Sequence, residues 1–307
     1  MILASSRRRA GDVSIRPVGY TRVGDFLLGL IGLALLRSRV TDLGDKSFCD
    51  ARVVEVRDIL DHWDDPTLQR DASWEKAPAA AGYSIWASTY DSDPNPLIDL
   101  DEATLRPILD RYPPCDTLDA ACGTGRWTRY LSQRGHGVHG VDESPAMLDI
   151  ARTKVPDARF SLGDLRSLPQ PSDSVDLVVC SLALTHLPDL DQPLAEFARV
   201  LRPGGHAVLS NIHHLSLPLG GVVHMLAPSG QAIQLPASLF LPTDYINAAL
   251  RAGFTIQSCA EVGWPELASG HGGPTAQAWC PEAARAAYVG TPALMVVELA
   301  LPPAGPR

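Results

Sequence analysis

The stretch Leu118-Asp119-Ala120-Ala121-Cys122-Gly123-Thr124-Gly125 reads as a strand that ends in a glycine-rich turn and opens into a helix. Small residues at 121, 123 and 125 let a ligand approach the backbone, because a Cβ at a tight turn blocks access or forbids a positive φ. A nucleotide-like molecule is therefore expected against this turn. The dinucleotide fingerprint G-x-G-x-x-G is half met: Gly123 and Gly125 fit, but Thr128 holds the third position and Asp119 stands before the loop. An Asp at a strand end suits a ligand bearing an ammonium group and repels a pyrophosphate. Two more acidic residues follow, Asp142 at the end of the second strand and Asp164 just after the third. Ligands of open α/β sheets lie outside the carboxyl ends of the strands, so the three carboxylates are expected to line one crevice. There Asp142 can accept both ribose hydroxyls and Asp164 an adenine amino group.

Outward from this turn, short β-branched or apolar runs alternate with helical stretches, the pattern of a parallel sheet covered by helices on both faces. Strands are expected over 117–120, 137–141, 158–162, 175–180 and 207–211, and helices over 102–112, 128–134, 145–153 and 192–201. The third helix opens with Ser144 as N-cap and Pro145 at its first position. Arg202-Pro203-Gly204-Gly205 is expected to end a helix and turn into a strand. Further on, 243–252 reads as helix, and 255–262 and 293–301 as strands. Between those strands, 263–292 contains His271-Gly272-Gly273-Pro274 and is expected to shape a substrate pocket, as is 212–242.

Residues 1–20 lack apolar periodicity and read as a mobile tail. Helices are expected over 23–36 and 51–63, then a linker over 64–78, which sets a boundary near residue 80. Two such helices bury little alone. They need the main domain or the same segment of a second subunit, so 1–80 is read as a lid or homodimerisation element and 81–307 as the main domain.

Of the 307 residues 45% are hydrophobic and 20% charged, which excludes a disordered chain. The formal charge of -9 opposes a phosphate backbone, so nucleic acid is not an expected partner. Cys49, Cys115, Cys122, Cys180, Cys259 and Cys280 form no C-x-x-C pair, so neither metal nor disulfides are expected and a reducing cytoplasm fits. The apolar run 26–36 is 11 residues long, against about 20 for a membrane span. Arg7, Arg8 and Arg9 precede it, but Asp25 at its edge and Arg37 after it do not suit a signal peptide.

With these residues in place, the sequence resembles the class I S-adenosylmethionine-dependent methyltransferases over residues 80–301, particularly the small-molecule branch similar to ubiquinone and menaquinone biosynthesis enzymes. The resemblance rests on LDAACGTG (118–125), GVDES (140–144), LGDLRSLP (162–169), VDLVVCSLALTHL (175–187) and LRPGGHAVLS (201–210), in family order. It implies an α/β, Rossmann-like sheet, mostly parallel with the last strand antiparallel between its predecessors, preceded by a helical extension. It also implies S-adenosyl-L-methionine as cofactor. By that resemblance Asp119, Ala121, Gly123 and Gly125 hold the methionine portion, Asp142 the ribose, and Asp164 with Leu165 the adenine. Met147 packs on the adenine face, and Ser181 lies beside the sulfonium. Ala121 replaces a family glycine. The segment 82–91 resembles the Tyr-Asp stretch that similar enzymes place over the cofactor, with Tyr90 as the lid residue and Tyr83 and Trp86 as lid or core. Arg126 and Trp127 either reach the cofactor carboxylate or substrate, or lie at the surface.

Methyl transfer from a sulfonium is an in-line displacement that needs alignment more than a covalent residue. A hydroxyl or acidic-carbon acceptor also needs a base, and histidine suits neutral pH. His213 is the first candidate, because Ser210-Asn211-Ile212-His213 resembles a Ser-Asp-x-His stretch of similar enzymes, with Asn211 in place of the Asp. His186 is the second. The expected function is methylation of a small molecule, a secondary metabolite, with oxygen favoured over nitrogen or carbon. The alternative is a non-methylating relative that binds the cofactor as a scaffold or catalyses a rearrangement or cyclisation.

Overall fold

The computed structural model describes residues 22–303 apart from 42–43, 72–74, 93–94, 220–222, 227–231 and 267–271. The tail expected over 1–20, with Arg7, Arg8 and Arg9, and His271 lie outside the described residues. The helices are α1 (Val23–Ser38), α2 (Lys46–Asp61), α3 (Pro66–Gln69), α4 (Ala79–Trp86), α5 (Pro96–Leu109), α6 (Arg126–Gln133), α7 (Pro145–Lys154), α8 (Asp191–Val200), α9 (Pro242–Arg251), α10 (Gly273–Trp279) and α11 (Pro281–Tyr288). The strands are β1 (Glu75–Lys76), β2 (Asp116–Ala120), β3 (Gly137–Asp142), β4 (Arg159–Leu162), β5 (Val175–Ser181), β6 (Leu201–Ile212), β7 (His224–Leu226), β8 (Ala232–Gln234), β9 (Thr255–Gly263) and β10 (Pro292–Ala300).

Seven strands form one sheet in the order β4-β3-β2-β5-β6-β10-β9. Strands β2 to β6 run parallel, and β10 lies antiparallel between β6 and β9. Both faces are buried because successive side chains alternate. Val178 and Cys180 pack with Leu194, Phe197 and Tyr245 on one side, while Leu177 and Val179 pack with Leu105, Trp127 and Leu131 on the other. Phe197 is fully buried, which stabilises the fold by about 2–3 kcal/mol. From β2 the chain runs outward through β3 to β4, then crosses back to β5 on the other side of β2. The loops after β2 and β5 therefore diverge and open a crevice at the carboxyl ends of these strands.

Two helices begin earlier than their apolar periodicity indicates. Helix α5 starts at Pro96, where Asn95 caps it by accepting from the backbone N–H of Leu97 at 3.1 Å. Helix α2 starts at Lys46 after Asp45, whose carboxylate accepts from Phe48 N–H at 2.8 Å. The Arg-Pro-Gly-Gly turn falls inside β6: the register slips between Leu201 and His206, and Gly204 takes a φ of +86°.

The N-terminal helices share a core with helices from the far end of the chain. Leu27, Leu30, Ile31, Ala34, Ile59 and Leu68 pack against Ala276, Cys280 and the alanine face of α11, Ala283, Ala284 and Ala287. Small alanines let α1 approach closely. Arg37 reinforces the contact by donating to the carbonyls of Ala286, Ala287 and Val289 at 2.7, 2.8 and 2.7 Å. The packing thus crosses the boundary expected near residue 80, and the partner surface that α1 needs comes from the same chain. The segment 263–292 accordingly supplies α10 and α11 to this helical cluster. Within the expected linker 64–78, α3 joins the cluster and β1 pairs with β8 in a small sheet ordered β1-β8-β7.

Candidate active site

In the turn after β2, Gly123 and Gly125 take positive φ, at 53° and 81°, as glycine permits, and Ala121 does so too, at 61°, despite its Cβ. A Cβ added at Gly123 meets nothing within 4 Å, so this turn faces open space. Gly125 caps α6 in the left-handed conformation.

Asp119 is 1% exposed at the end of β2 and accepts from the Thr128 hydroxyl at 2.6 Å. Thr128, which stands where the dinucleotide fingerprint has its third glycine, thus holds the carboxylate in place. Burial pushes the Asp119 carboxyl up to about 6, against the bonds from Thr128. Asp142, at the end of β3, accepts from the backbone N–H groups of Gly123 and Ser144, both at 2.8 Å. Burial raises its carboxyl too, and these backbone bonds oppose the rise. Each carboxylate still has lone pairs for a further donor.

Tyr90, Asp119, Ala121, Gly123, Arg126 and Ser181 line one narrow cleft. Arg126 opens α6 and stands beside Ser181, to whose hydroxyl Nη2 donates at 3.0 Å. Its Nη1 is buried and 2.8 Å from Asp101 Oδ2 as an ion pair, yet makes no well-directed hydrogen bond. The cleft wall therefore combines a carboxylate with spare acceptor capacity, Asp119, and a guanidinium, Arg126, whose buried Nη1 is ion-paired to Asp101; opposite charges of this kind complement a zwitterionic amino acid.

A lid of aromatic rings covers the cleft. Tyr83 stacks on Trp86 with centroids 5.9 Å apart, and Trp86 meets Tyr90 edge-on at 4.9 Å. Bonds that hold this segment down include Ser84 to Ser144 at 3.1 Å, the Thr124 hydroxyl to Asp91 at 2.8 Å, and an ion pair between Asp91 and Lys154. Behind the lid lie Met225, Ile233 and Leu235, so residues 75–90 and part of 212–242 form one unit. A Cβ at Gly82 would come within 2.1 Å of Leu235 Cδ2, so glycine is what allows α4 to seat there.

The remaining sequence candidates are placed differently. Asp164 is chelated by Arg166, with Nε 3.0 Å from both carboxylate oxygens and Nη2 at 2.6 Å, which keeps its carboxyl below the usual range. Met147 is 1% and Leu165 8% exposed, so neither presents an open face to the cleft. His213 is buried and not in the cleft wall: Nδ1 accepts from Leu215 N–H at 3.2 Å, leaving Nε2–H to donate to Glu261 at 2.9 Å. Both nitrogens are taken, so the structure does not bring His213 to the cleft. His214 lies beside it, with ring centroids 4.3 Å apart and the planes tilted by 41°. His186 is likewise not in the cleft wall but touches the lid segment, with Nδ1 2.7 Å from the carbonyl of Pro236 and Nε2 2.9 Å from the Tyr83 hydroxyl. A carbonyl only accepts, so Nδ1 carries the proton and Nε2 accepts from tyrosine. Burial lowers the His186 pKa and keeps the ring neutral.

Residues 118–209 match the family described as "Methyltransferase domain". A malonyl-[acyl-carrier protein] O-methyltransferase of Serratia marcescens is 32% identical over 58% of this chain and 68% of its own length. The chain belongs to the S-adenosylmethionine-dependent methyltransferases. The demethylmenaquinone methyltransferase of Deinococcus radiodurans is 39% identical over 38% of this chain and 50% of its own length, so the chain spans half to two thirds of these relatives. The fold matches a solved S-adenosylmethionine-dependent methyltransferase from Mesorhizobium loti at 24% identity, with a TM-score of 0.51 over 66% of this chain and 99% of that one. The chain is thus an S-adenosylmethionine-dependent methyltransferase. Among the described residues, no helix is long and apolar enough to cross a membrane, and no cluster of three His, Cys, Asp or Glu could hold a metal.

Sequence reasoning passed over Asp101. It is fully buried on α5 and accepts from Trp127 Nε1, Ser181 and Ser210 as well as facing Arg126. The signal was available: Asn95-Pro96 is an N-cap followed by proline at N1, and a helix from there puts Asp101 in one stripe with Leu105 and Leu109. A carboxylate in an apolar stripe needs partners.

Proposed function

We propose that this methyltransferase methylates an oxygen of a small-molecule acceptor, with His186 as the base. When bound, S-adenosylmethionine supplies an electrophilic methyl group on its sulfonium. Asp119 accepts from the donor's ammonium group and Arg126 Nη1 donates to its carboxylate. Asp142 takes the ribose hydroxyls. Tyr90 closes over the cleft, excludes water and offers an aromatic face to positive charge.

The observation that carries oxygen as the acceptor is the bond from the Tyr83 hydroxyl to His186 Nε2 at 2.9 Å. A neutral imidazole, its tautomer held by Pro236, already accepts from an O–H of the lid. An acceptor hydroxyl that replaces Tyr83 loses its proton to the same nitrogen as the methyl group arrives. That the Serratia marcescens relative is named an O-methyltransferase supports oxygen as the acceptor. The free thiols of all six cysteines suit a reducing cytoplasm. The lid and the segment 212–242 are the natural place for a secondary metabolite to be read.

The test is incubation with methyl-labelled S-adenosylmethionine and a panel of phenolic, alcoholic, carboxylic and amine acceptors. O-methyl products that disappear in His186→Ala support the reading. Label on nitrogen or carbon, or donor binding with no transfer to any class, overturns it, the latter in favour of a cofactor-binding scaffold.

A further inference from the structure

The carboxylate of Asp101 joins four elements around the cleft. It sits on α5, meets Arg126 and Trp127 of α6, and takes the hydroxyls of Ser181 at the end of β5 and Ser210 in β6. Two of these partners, Arg126 and Ser181, are themselves cleft residues. The bonds are unequally shared. Oδ2 receives Trp127 Nε1 at 3.2 Å and Ser181 Oγ at 2.7 Å and faces Arg126 Nη1 at 2.8 Å, whereas Oδ1 receives Ser210.

Fold stability alone does not call for this arrangement. A buried ion pair repays little more than its own desolvation, and an apolar residue of similar size at 101 would fill the space beside Leu105 and Leu109. What the carboxylate adds is direction. An arginine at the start of a helix has several free rotamers, and Asp101 holds this one across the cleft wall, with Nη2 on Ser181 and Nη1 left without a well-directed bond. It also balances the guanidinium charge in a wall that already contains Asp119.

We propose that Asp101 is the positioning residue of the methyl-donor site, holding Arg126 and Ser181 so that the guanidinium addresses the carboxylate of the donor's amino-acid end. This rests on the assignment of Arg126 to that carboxylate. Asp101 touches no reacting atom. Its contribution is to affinity and orientation at one end of the donor and not at the adenosine end.

Two probes separate those ends: S-adenosylhomocysteine, which has the amino-acid group, and 5′-methylthioadenosine, which lacks it. Calorimetric titrations compare the unaltered chain with Asp101→Asn, Asp101→Ala and Arg126→Gln. Asn can keep its oxygen toward Trp127, Ser181 and Arg126 and turn its amide nitrogen to Ser210, so it removes charge while preserving the bonds. We expect both Asp101 variants to weaken S-adenosylhomocysteine, on the order of 10- to 100-fold for Ala and less for Asn, as loss of a charge-assisted bond does. Methylthioadenosine should change less than about 3-fold, because its contacts lie elsewhere. Equal loss of both probes, or no loss of either in the Asn variant, overturns the proposal in favour of a purely structural tie. Selective loss in Arg126→Gln without loss in either Asp101 variant leaves the Arg126 assignment standing and removes the role of Asp101. Should the unaltered chain bind neither probe, the donor site itself is misassigned and the proposal falls with it.

Discussion

The Tyr83 hydroxyl and His186 Nε2 lie 2.9 Å apart, and this bond joins the lid helix to the loop after β5. Because burial lowers the pKa of His186 from 6.5, the acid limb of kcat against pH is expected below that value. Replacing His186 by Ala should cost about 10²- to 10⁴-fold in kcat with donor affinity retained. The same shift affects stability. Below 6.5 the unfolded chain binds the proton first, so stability from this group is present above 6.5 and lost as pH falls toward the folded pKa. Denaturant titrations across that window read the loss, and an acid limb above pH 7 contradicts the assignment.

Asp119 has the opposite sign. Its carboxyl rises from 3.8 to about 6, so the folded chain holds a proton that the unfolded chain has released, and stability falls as pH rises between those values. The shift costs about 3 kcal/mol at neutral pH. Asp119→Asn should therefore raise Tm at pH 7.5 while weakening S-adenosylhomocysteine. For the unaltered chain, affinity should drop as pH falls below 6, because a protonated Asp119 cannot pair with an ammonium group. A lower Tm in Asp119→Asn together with pH-independent binding would falsify this account.

Arg37 ties α1 to the last turn of α11 through three carbonyls. Those carbonyls have no partner within the helix, so a cation there closes the helix end. Arg37→Ala should cost about 2–3 kcal/mol in urea unfolding, while kcat at low temperature stays unchanged because α1 and α11 lie apart from the cleft. Lysine at 37 cannot reach all three carbonyls and should restore less than half.

Gly82 and Leu235 are matched in size. A methyl group at 82 lands 2.1 Å from a Leu235 methyl that is itself buried, which should cost about 1–3 kcal/mol by overpacking. Gly82→Ala is expected to loosen the lid and raise KM for the donor. Adding Leu235→Ala should recover much of the loss, and a double variant no better than the single one removes the contact as the cause.

The donor turn was legible in the sequence because its constraints are local. Positive φ at Gly123 and Gly125 is open to them because they lack a Cβ, and the strand-end position of Asp119 and Asp142 follows from two-residue periodicity. Asp164 was legible by position but not by engagement, since the chelating Arg166 is two residues away and competes for the same lone pairs. The choice between His213 and His186 was not legible. Both follow strands at the same sheet edge, and only contacts with Glu261 and Tyr83, distant by 48 and 103 residues, separate them.

Local sequence sufficed for the parallel sheet, the glycine turn, the carboxylates at the strand ends and the family, because periodicity, turn chemistry and motif spacing act over a few residues. Which histidine touches the lid, that Asp101 stands behind Arg126, and that α1 finds its partner in α11 emerge only from the packed fold. Each of those depends on a contact between segments far apart in the chain, where packing and burial, and not local propensity, set the energy.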